Sequence, residues 1–422
     1  MEGPSKKGEW CAMWPLPLVS MLGVAGTGLF SMSSGVFMDE MIREFGWSRT
    51  EFSSAMTAYV IVGLIGLPIL GRAIDRFGSR AVALAGLLPT VAGMSLLGLT
   101  NGNVWQWRFF ILIQALGILI ISVPVWITAV IARFRASRGL AIAVALAGTG
   151  LGSATWPILA AFYVEHFGWR LAFPALALSW AVLTVPLTLL FFHDSGRRTV
   201  SAISAITTPK PPIGPVLLSR TFLCLAASGG LFIGASYGLL MHFVPILRWS
   251  GHDLATSAMI AGVTGVCTIL GRILTGFLLD LLPTRWLGMC VFLLPIGTSL
   301  LLLQAGSVLP AALAAAILLG LSTGAETDIL TYIAARRFDQ AVFGSIYSVI
   351  QSVFAGMSVG GSIVAGALFD VNNSYAPVLT AVIPLALLGA VFLALVPPAG
   401  DPPLKRGADD DAVSGKPALS PK

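Results

Sequence analysis

Apolar runs of about twenty residues or more, separated by short charged or turn-rich stretches, follow one another from residue 14 to residue 397 of this chain. An α-helix rises about 1.5 Å per residue, so roughly 20 residues cross the ~30 Å hydrocarbon layer of a bilayer. Within such a helix every backbone N–H and C=O finds its partner in the same segment, which is why helices are the form that apolar runs adopt in lipid. Composition agrees: AVILMFWYC supply 56% of the 422 residues and DEKR only 10%, against roughly 25% charged in an ordinary soluble domain. So few charges cannot coat a water-soluble fold. The formal charge of +6 therefore bears on topology, and nucleic-acid binding is not indicated.

Reading the runs between their breaks predicts an all-α membrane protein of twelve spans, near 14–37, 51–71, 80–100, 106–132, 139–163 and 170–192, then 220–246, 254–279, 285–304, 309–335, 341–367 and 376–397. They are called spans 1 to 12 below. An even number of crossings puts both termini on one side, and Lys/Arg asymmetry selects that side. If it is the cytoplasm, 19 of the 25 basic residues lie inside, five (Arg43, Arg49, Arg108, Arg170, Arg248) lie outside, and Arg272 falls within a span. The expectation is a multi-pass protein of the cytoplasmic (inner) cell membrane with both termini in the cytoplasm. The opening MEGPSKKGEW leads into span 1 without a small-residue cleavage site, so that span is expected to be retained.

The longest hydrophilic break, 193–219, is rich in Pro, Ser and Thr and divides the spans six and six. The predicted organisation is a cytoplasmic segment 1–13, a six-helix bundle 14–192, a linker 193–219, a second bundle 220–397 and a disordered tail 398–422. A repeat supports the division: GRAIDRFGSR at 71–80 and GFLLDLLPTR at 276–285 pair Gly71 with Gly276, Asp75 with Asp280 and Arg80 with Arg285 at a common offset of 205, which Gly139 and Gly344 also keep. This reads as a duplicated six-helix unit. Each Asp faces the negative end of a helix macrodipole and needs a positive partner. The starts of span 11 near Gly344 and span 5 near Gly139 are the candidate partners for Asp75 and Asp280. Gly71, Asp75, Arg76, Gly78 and Arg80, with Gly276, Asp280 and Arg285, thus form a candidate gate. The alternative is a tight basic turn that only sets topology.

Three charges stand well inside spans, where each costs a few kcal/mol and marks a site. Arg272 in span 8 lies eight residues before Asp280, and Asp328 in span 10 eight before Arg336, so the two are at similar depth, with Glu326 slightly further in. A guanidinium stays charged and offers a planar fork matched to a carboxylate, which makes Arg272 the candidate for binding an anionic substrate. The competing reading is a permanent ion pair with Asp328 or Glu326. These two acids are about 200° apart on a helix and cannot both face Arg272. One of them is the candidate proton carrier. His242, Tyr332, Trp126, Trp156 and Phe354 are further candidates for lining the substrate pocket, against the alternative that they pack or anchor at the interface.

Other chemistry is not indicated. The four cysteines have no CxxC spacing, and there is no phosphate-binding GK[ST] loop, HExxH or catalytic triad, so neither a metal, a cofactor nor an enzyme is expected. GTGLG at 148–152 falls inside an apolar helix and reads as small-residue packing, as do Gly356 and Gly360.

GRAIDRFGSR resembles the loop between helices 2 and 3 of the major facilitator superfamily. FGWSRTEFS at 45–53, RGLAIAVALAGTGLG at 138–152 and GAETDILTYIAARRFDQAVFGSIYS at 324–348 resemble its monocarboxylate transporter branch and bacterial oxalate/formate exchangers. The resemblance covers roughly residues 14–397. It implies two six-helix bundles around a midplane cavity, alternating access, a small monocarboxylate as substrate, a proton as co-ion and the span 8 arginine as carboxylate ligand. The chain departs from the animal carriers at Thr268, where they carry an acid, and at Met32, near where they place a lysine. The expected function is thus secondary transport of a small organic anion, with a proton, by a monomer in the bilayer. Proton-independent organic-anion exchange is the alternative, and a transport-inactive sensor is a more distant one.

Overall fold

Breaks in the apolar pattern become turns wherever a residue can end a helix. The structure, a computed structural model, describes residues 6–134, 137–193, 213–338 and 340–396. Among these residues it is helical throughout, with no strand. Span 2 is Arg49–Phe77, span 3 Ser79–Leu97 and span 4 Val104–Arg133. Spans 5 and 6 run as one helix, Arg138–Phe191, folded back on itself at Gly168, whose φ of 77° is outside the range that side chains normally allow. Spans 7 to 12 are Arg220–Trp249, Leu254–Leu281, Thr284–Ala305, Leu309–Arg337, Gln340–Asn372 and Ala376–Leu395.

Several expected starts coincide with observed ones because the residue before them is a cap. Ser219 accepts a hydrogen bond from the Phe222 N–H and Asp253 from that of Thr256, each satisfying a free donor of the first turn. The Asp253 cap holds its carboxyl below the usual carboxylate range.

Span 1 differs from expectation. Instead of one helix ending near 37, it comprises Pro15–Gly26 and Ser34–Phe45. In the stretch between them Thr27, Gly28 and Leu29 donate to the carbonyls three residues back, at 3.1 to 3.2 Å. A tightened turn in the middle of a span is a common position for a hinge. The helix then continues to Gly46, where a φ of 69° ends it.

The six-plus-six halves meet closely at the end away from the termini. There Gly366 of span 11 lies against the Arg49 and Thr50 backbone, and Gly35 of span 1 against the Met241 carbonyl of span 7. Near mid-depth Gly262 and Gly265 of span 8 abut Ala154 of span 5. At the terminus-bearing end a methyl placed on Gly71, Gly139 or Gly276 would find no atom of the described residues within 4 Å. Among the described residues the halves are therefore closed against each other at the end away from the termini.

Candidate functional site

Spans 8 and 10 carry the intramembrane charges, and glycines bring their backbones together. Gly271 abuts the Leu321 backbone, Gly324 that of Thr268, and Gly320 the Thr264 carbonyl. This close approach delivers Arg272 to Asp328: Arg272 Nε stands 3.5 Å from Asp328 Oδ2. The pair lies nine residues from the end of either span, about 14 Å deep. Neither side chain is sealed, for Arg272 keeps 29% and Asp328 35% of its side-chain surface. The Nε proton has no hydrogen-bond acceptor, so the contact is an ion pair without a fork-to-fork fit.

Arg272 also lines a cleft of about 560 Å³ between spans 5 and 8, with Thr149, Gly150, Thr268 and Gly276. Glu326 is buried, with Thr327 Oγ1 donating to it at 3.5 Å, while Asp328 holds the ion pair with Arg272. Tyr237 of span 7, absent from the sequence-based candidates, is within electrostatic reach of both Arg272 and Glu326. It keeps 40% of its surface although span 7 is the most enclosed of the helices. The available signal was a lone phenol amid the small residues of GASYGLL.

The remaining expected pocket residues lie elsewhere. His242 is wholly buried at the sealed end, where its ring nitrogens meet the Tyr375 hydroxyl at 3.0 Å, the Ser362 carbonyl at 3.1 Å and Ser53 Oγ at 3.4 Å. It ties spans 7, 11 and 2 together. Trp126 is fully buried, donates to the Ile121 carbonyl at 2.7 Å and packs on Phe192. Trp156 spends its N–H on the Ala25 carbonyl at 2.8 Å, inside the first half. Phe354 is buried and fills the space beside Gly229. Tyr332, one turn beyond Asp328, faces spans 9 and 12 in a separate pocket, because span 10 is flanked by span 8 on one side and span 9 on the other. All five are corrected from pocket lining to packing or peripheral positions.

Of the candidate gate, the 71–80 side is described. Asp75 is exposed, with no hydrogen bond or ion pair among the described residues. Arg76 lies over Phe77 at 5.2 Å, and Arg80 donates to the Leu189 carbonyl at 2.8 Å, tying the loop to the end of span 6. Gly78 turns the chain with a φ of 87°. Arg285 lines the peripheral pocket that also holds Tyr332. The side chain of Asp280, the region around Gly344 and the tail 398–422 lie outside the described residues, as does most of the linker.

The opposite end carries the cross-half network that the sequence reading did not anticipate. Asp370 of span 11 accepts from the Arg49 N–H at 2.8 Å and the Thr50 N–H at 2.9 Å. The Arg49 guanidinium pairs with Asp39 at 2.8 Å and lies 4.0 Å from the Phe369 ring centre. Arg248 of span 7 reaches Asp39 and Glu40 of span 1, each at 3.4 Å.

Twelve apolar crossings in two halves, closed together at one end and carrying a half-exposed ion pair at mid-depth, define a polytopic membrane carrier. The chain belongs to the Major Facilitator Superfamily, whose family model matches residues 20–362. It is a membrane transporter and not an enzyme. Among its relatives are an MFS-type transporter of Gibberella moniliformis, 26% identical over 357 residues (81% of each chain), and monocarboxylate transporter 13 of Bos taurus, 27% identical over 358 residues (81% of this chain, 79% of the other). Among solved structures, the nucleoside transporter NupG superposes with a TM-score of 0.76 at 14% identity, covering 91% of this chain and 99% of that one. A bacterial homologue of the human lysosomal transporter Spinster, inward-facing and unoccupied, gives 0.66 at 14% identity, covering 93% and 95%. At that identity the two structures support the fold alone.

Proposed function

We propose that the chain is a secondary carrier of a small monocarboxylate, bound through the Arg272 guanidinium and moved by alternating access of the two halves. The observation that carries this reading is the loosely held Arg272–Asp328 pair, half-exposed at mid-depth with an unsatisfied Nε proton. A charge this deep needs a counter-ion. Asp328 supplies one through a single 3.5 Å contact, which an incoming carboxylate can replace with a bidentate one. The kinship with monocarboxylate transporters agrees with that chemistry.

Displacing Asp328 from Arg272 leaves a carboxylate without a partner in a weakly polar setting, and such a group takes up a proton. Substrate anion and proton then enter together, Arg272 pairs with the substrate, Asp328 becomes neutral, and no net charge is added. Tyr237, within electrostatic reach of Arg272, would offer its hydroxyl to the bound substrate. Rocking of the halves about the hinge at 27–33, with Asp75 and Asp280 engaging the opposite half as the sealed end opens, completes the cycle. The excess of Lys/Arg on the terminus-bearing side supports cytoplasmic termini and hence a closed end on the face away from the cytoplasm.

Proteoliposomes test this directly. Saturable uptake of a labelled short-chain carboxylate, accelerated by an inwardly directed proton gradient, is expected. Exchange of internal for external anion at a rate indifferent to that gradient would replace symport by exchange, and no carboxylate flux in either mode would remove the proposal.

A further inference from the structure

A second basic site lies away from the Arg272 cleft. Where span 9 begins and spans 10 and 12 end, a pocket of about 230 Å³ is lined by Thr284, Arg285, Trp286, Tyr332 and Arg336, with Arg337 and the Leu393 and Val396 side chains completing its wall. Among the described residues no acidic side chain lines it. Arg336 stacks on Tyr332 at 4.5 Å, which orients its planar fork. Arg337 has other partners and is not required.

Depth identifies what meets this pocket. Arg285 is the second residue of span 9 and Arg336 the second-last of span 10, so both guanidinia stand where the spans leave the hydrocarbon. Trp286, which lines the pocket, is 64% exposed, and Leu281 and Leu282, which precede the lining Pro283 in sequence, are 77% and 46% exposed. An exposed indole at a span end belongs to the headgroup layer, and leucines bared beside it face acyl chains. A soluble anion would use the guanidinia but leave this apolar rim idle. A phospholipid uses both.

We propose that this pocket binds the phosphate of an anionic phospholipid headgroup, held between Arg285, Arg336 and the Thr284 hydroxyl, with its acyl chains running along Leu281, Leu282 and Trp286. Because Arg336 and Tyr332 belong to the same helix as Asp328, the bound lipid braces the span that carries the intramembrane acid.

The test uses full-length protein in nanodiscs of phosphatidylcholine with and without phosphatidylglycerol, read by thermal unfolding and by the lipid that copurifies after delipidation. Phosphatidylglycerol should raise the unfolding temperature and be retained by the wild type. The Arg285→Gln/Arg336→Gln double variant should retain it less, by about fivefold per guanidinium removed. Arg285→Lys/Arg336→Lys, which keeps both charges, should recover part of the effect and serves as the folding control. Equal retention by wild type and the glutamine variant overturns the proposal. So does equal stabilisation by inorganic phosphate in phosphatidylcholine discs, which would make the pocket a site for a soluble anion.

Discussion

Asp370, near the end of span 11, accepts hydrogen bonds from the Thr50 backbone N–H at 2.9 Å and from the Thr50 hydroxyl at 2.6 Å, so a carboxylate of one half caps the first turn of a helix in the other. The cap satisfies donors that the start of span 2 cannot pair internally and places a negative charge at the positive end of its dipole. It exists only while this end is sealed.

Removing that carboxylate should therefore shift the conformational balance. A lost cap costs about 0.5–2 kcal/mol, so Asp370→Ala is expected to reduce the sealed population several-fold relative to the opposite state. Spin labels on the 250–253 loop and near residue 46 would report longer distances in the variant. A distance distribution identical to wild type would show that the contact does not hold the halves.

Arg272→Lys keeps the charge but loses the planar fork. Hydrogen bonds to charged groups contribute about 1.5–3 kcal/mol, so carboxylate affinity should drop by roughly tenfold to a hundredfold. The unfolding temperature should stay near wild type, since the Nε proton is unbonded and the ion pair is half-exposed. Binding by calorimetry on purified protein decides it, and unchanged affinity takes Arg272 out of the site.

The two acids of span 10 should separate by phenotype. Asp328→Asn is expected to abolish acceleration by a proton gradient while preserving anion counterflow, because the asparagine still leaves Arg272 free for substrate. Glu326→Gln is expected to keep the gradient response, its side chain being buried while Asp328 holds the ion pair with Arg272. A variant pair with the opposite pattern would transfer the proton to Glu326.

Glycines should likewise divide into two classes. At Gly324 an added side chain meets the Thr268 backbone, so Gly324→Val should destabilise by about 1–3 kcal/mol or more. At Gly276 a methyl meets nothing, so Gly276→Ala should leave thermal unfolding unchanged and slow transport, because the proposed latch closes on that surface in the other conformation. Wild-type turnover in Gly276→Ala would place the latch elsewhere.

Number, order and approximate ends of the crossings were legible because each depends on a local cost. Lipid rejects unpaired backbone and charge, so runs such as 254–279 and 376–397 can only be helices, and Ser219 and Asp253 mark starts by their own capping chemistry. The presence of Arg272, Glu326 and Asp328 inside spans was legible for the same reason. The broken first span was not, because no Pro or charge stands in TGLFSMS at 27–33 and small or hydroxylated residues also occur within unbroken spans.

Which face of each span turns inward was decided only by the tertiary structure. A helix apolar on every side has no stripe to mark its inner face, so nothing local distinguishes Tyr237, which meets the charges, from His242, Trp126, Trp156 and Phe354, which are sealed in packing. The lock at Asp370 joins residues 320 positions apart, and the approach of Arg272 to Asp328 depends on glycines in two helices meeting backbone to backbone. The sequence by itself determined a twelve-span transporter with an arginine stranded in the membrane. Tertiary packing decided what that arginine faces and which end of the molecule is shut, because both depend on distances between segments that no local cost constrains.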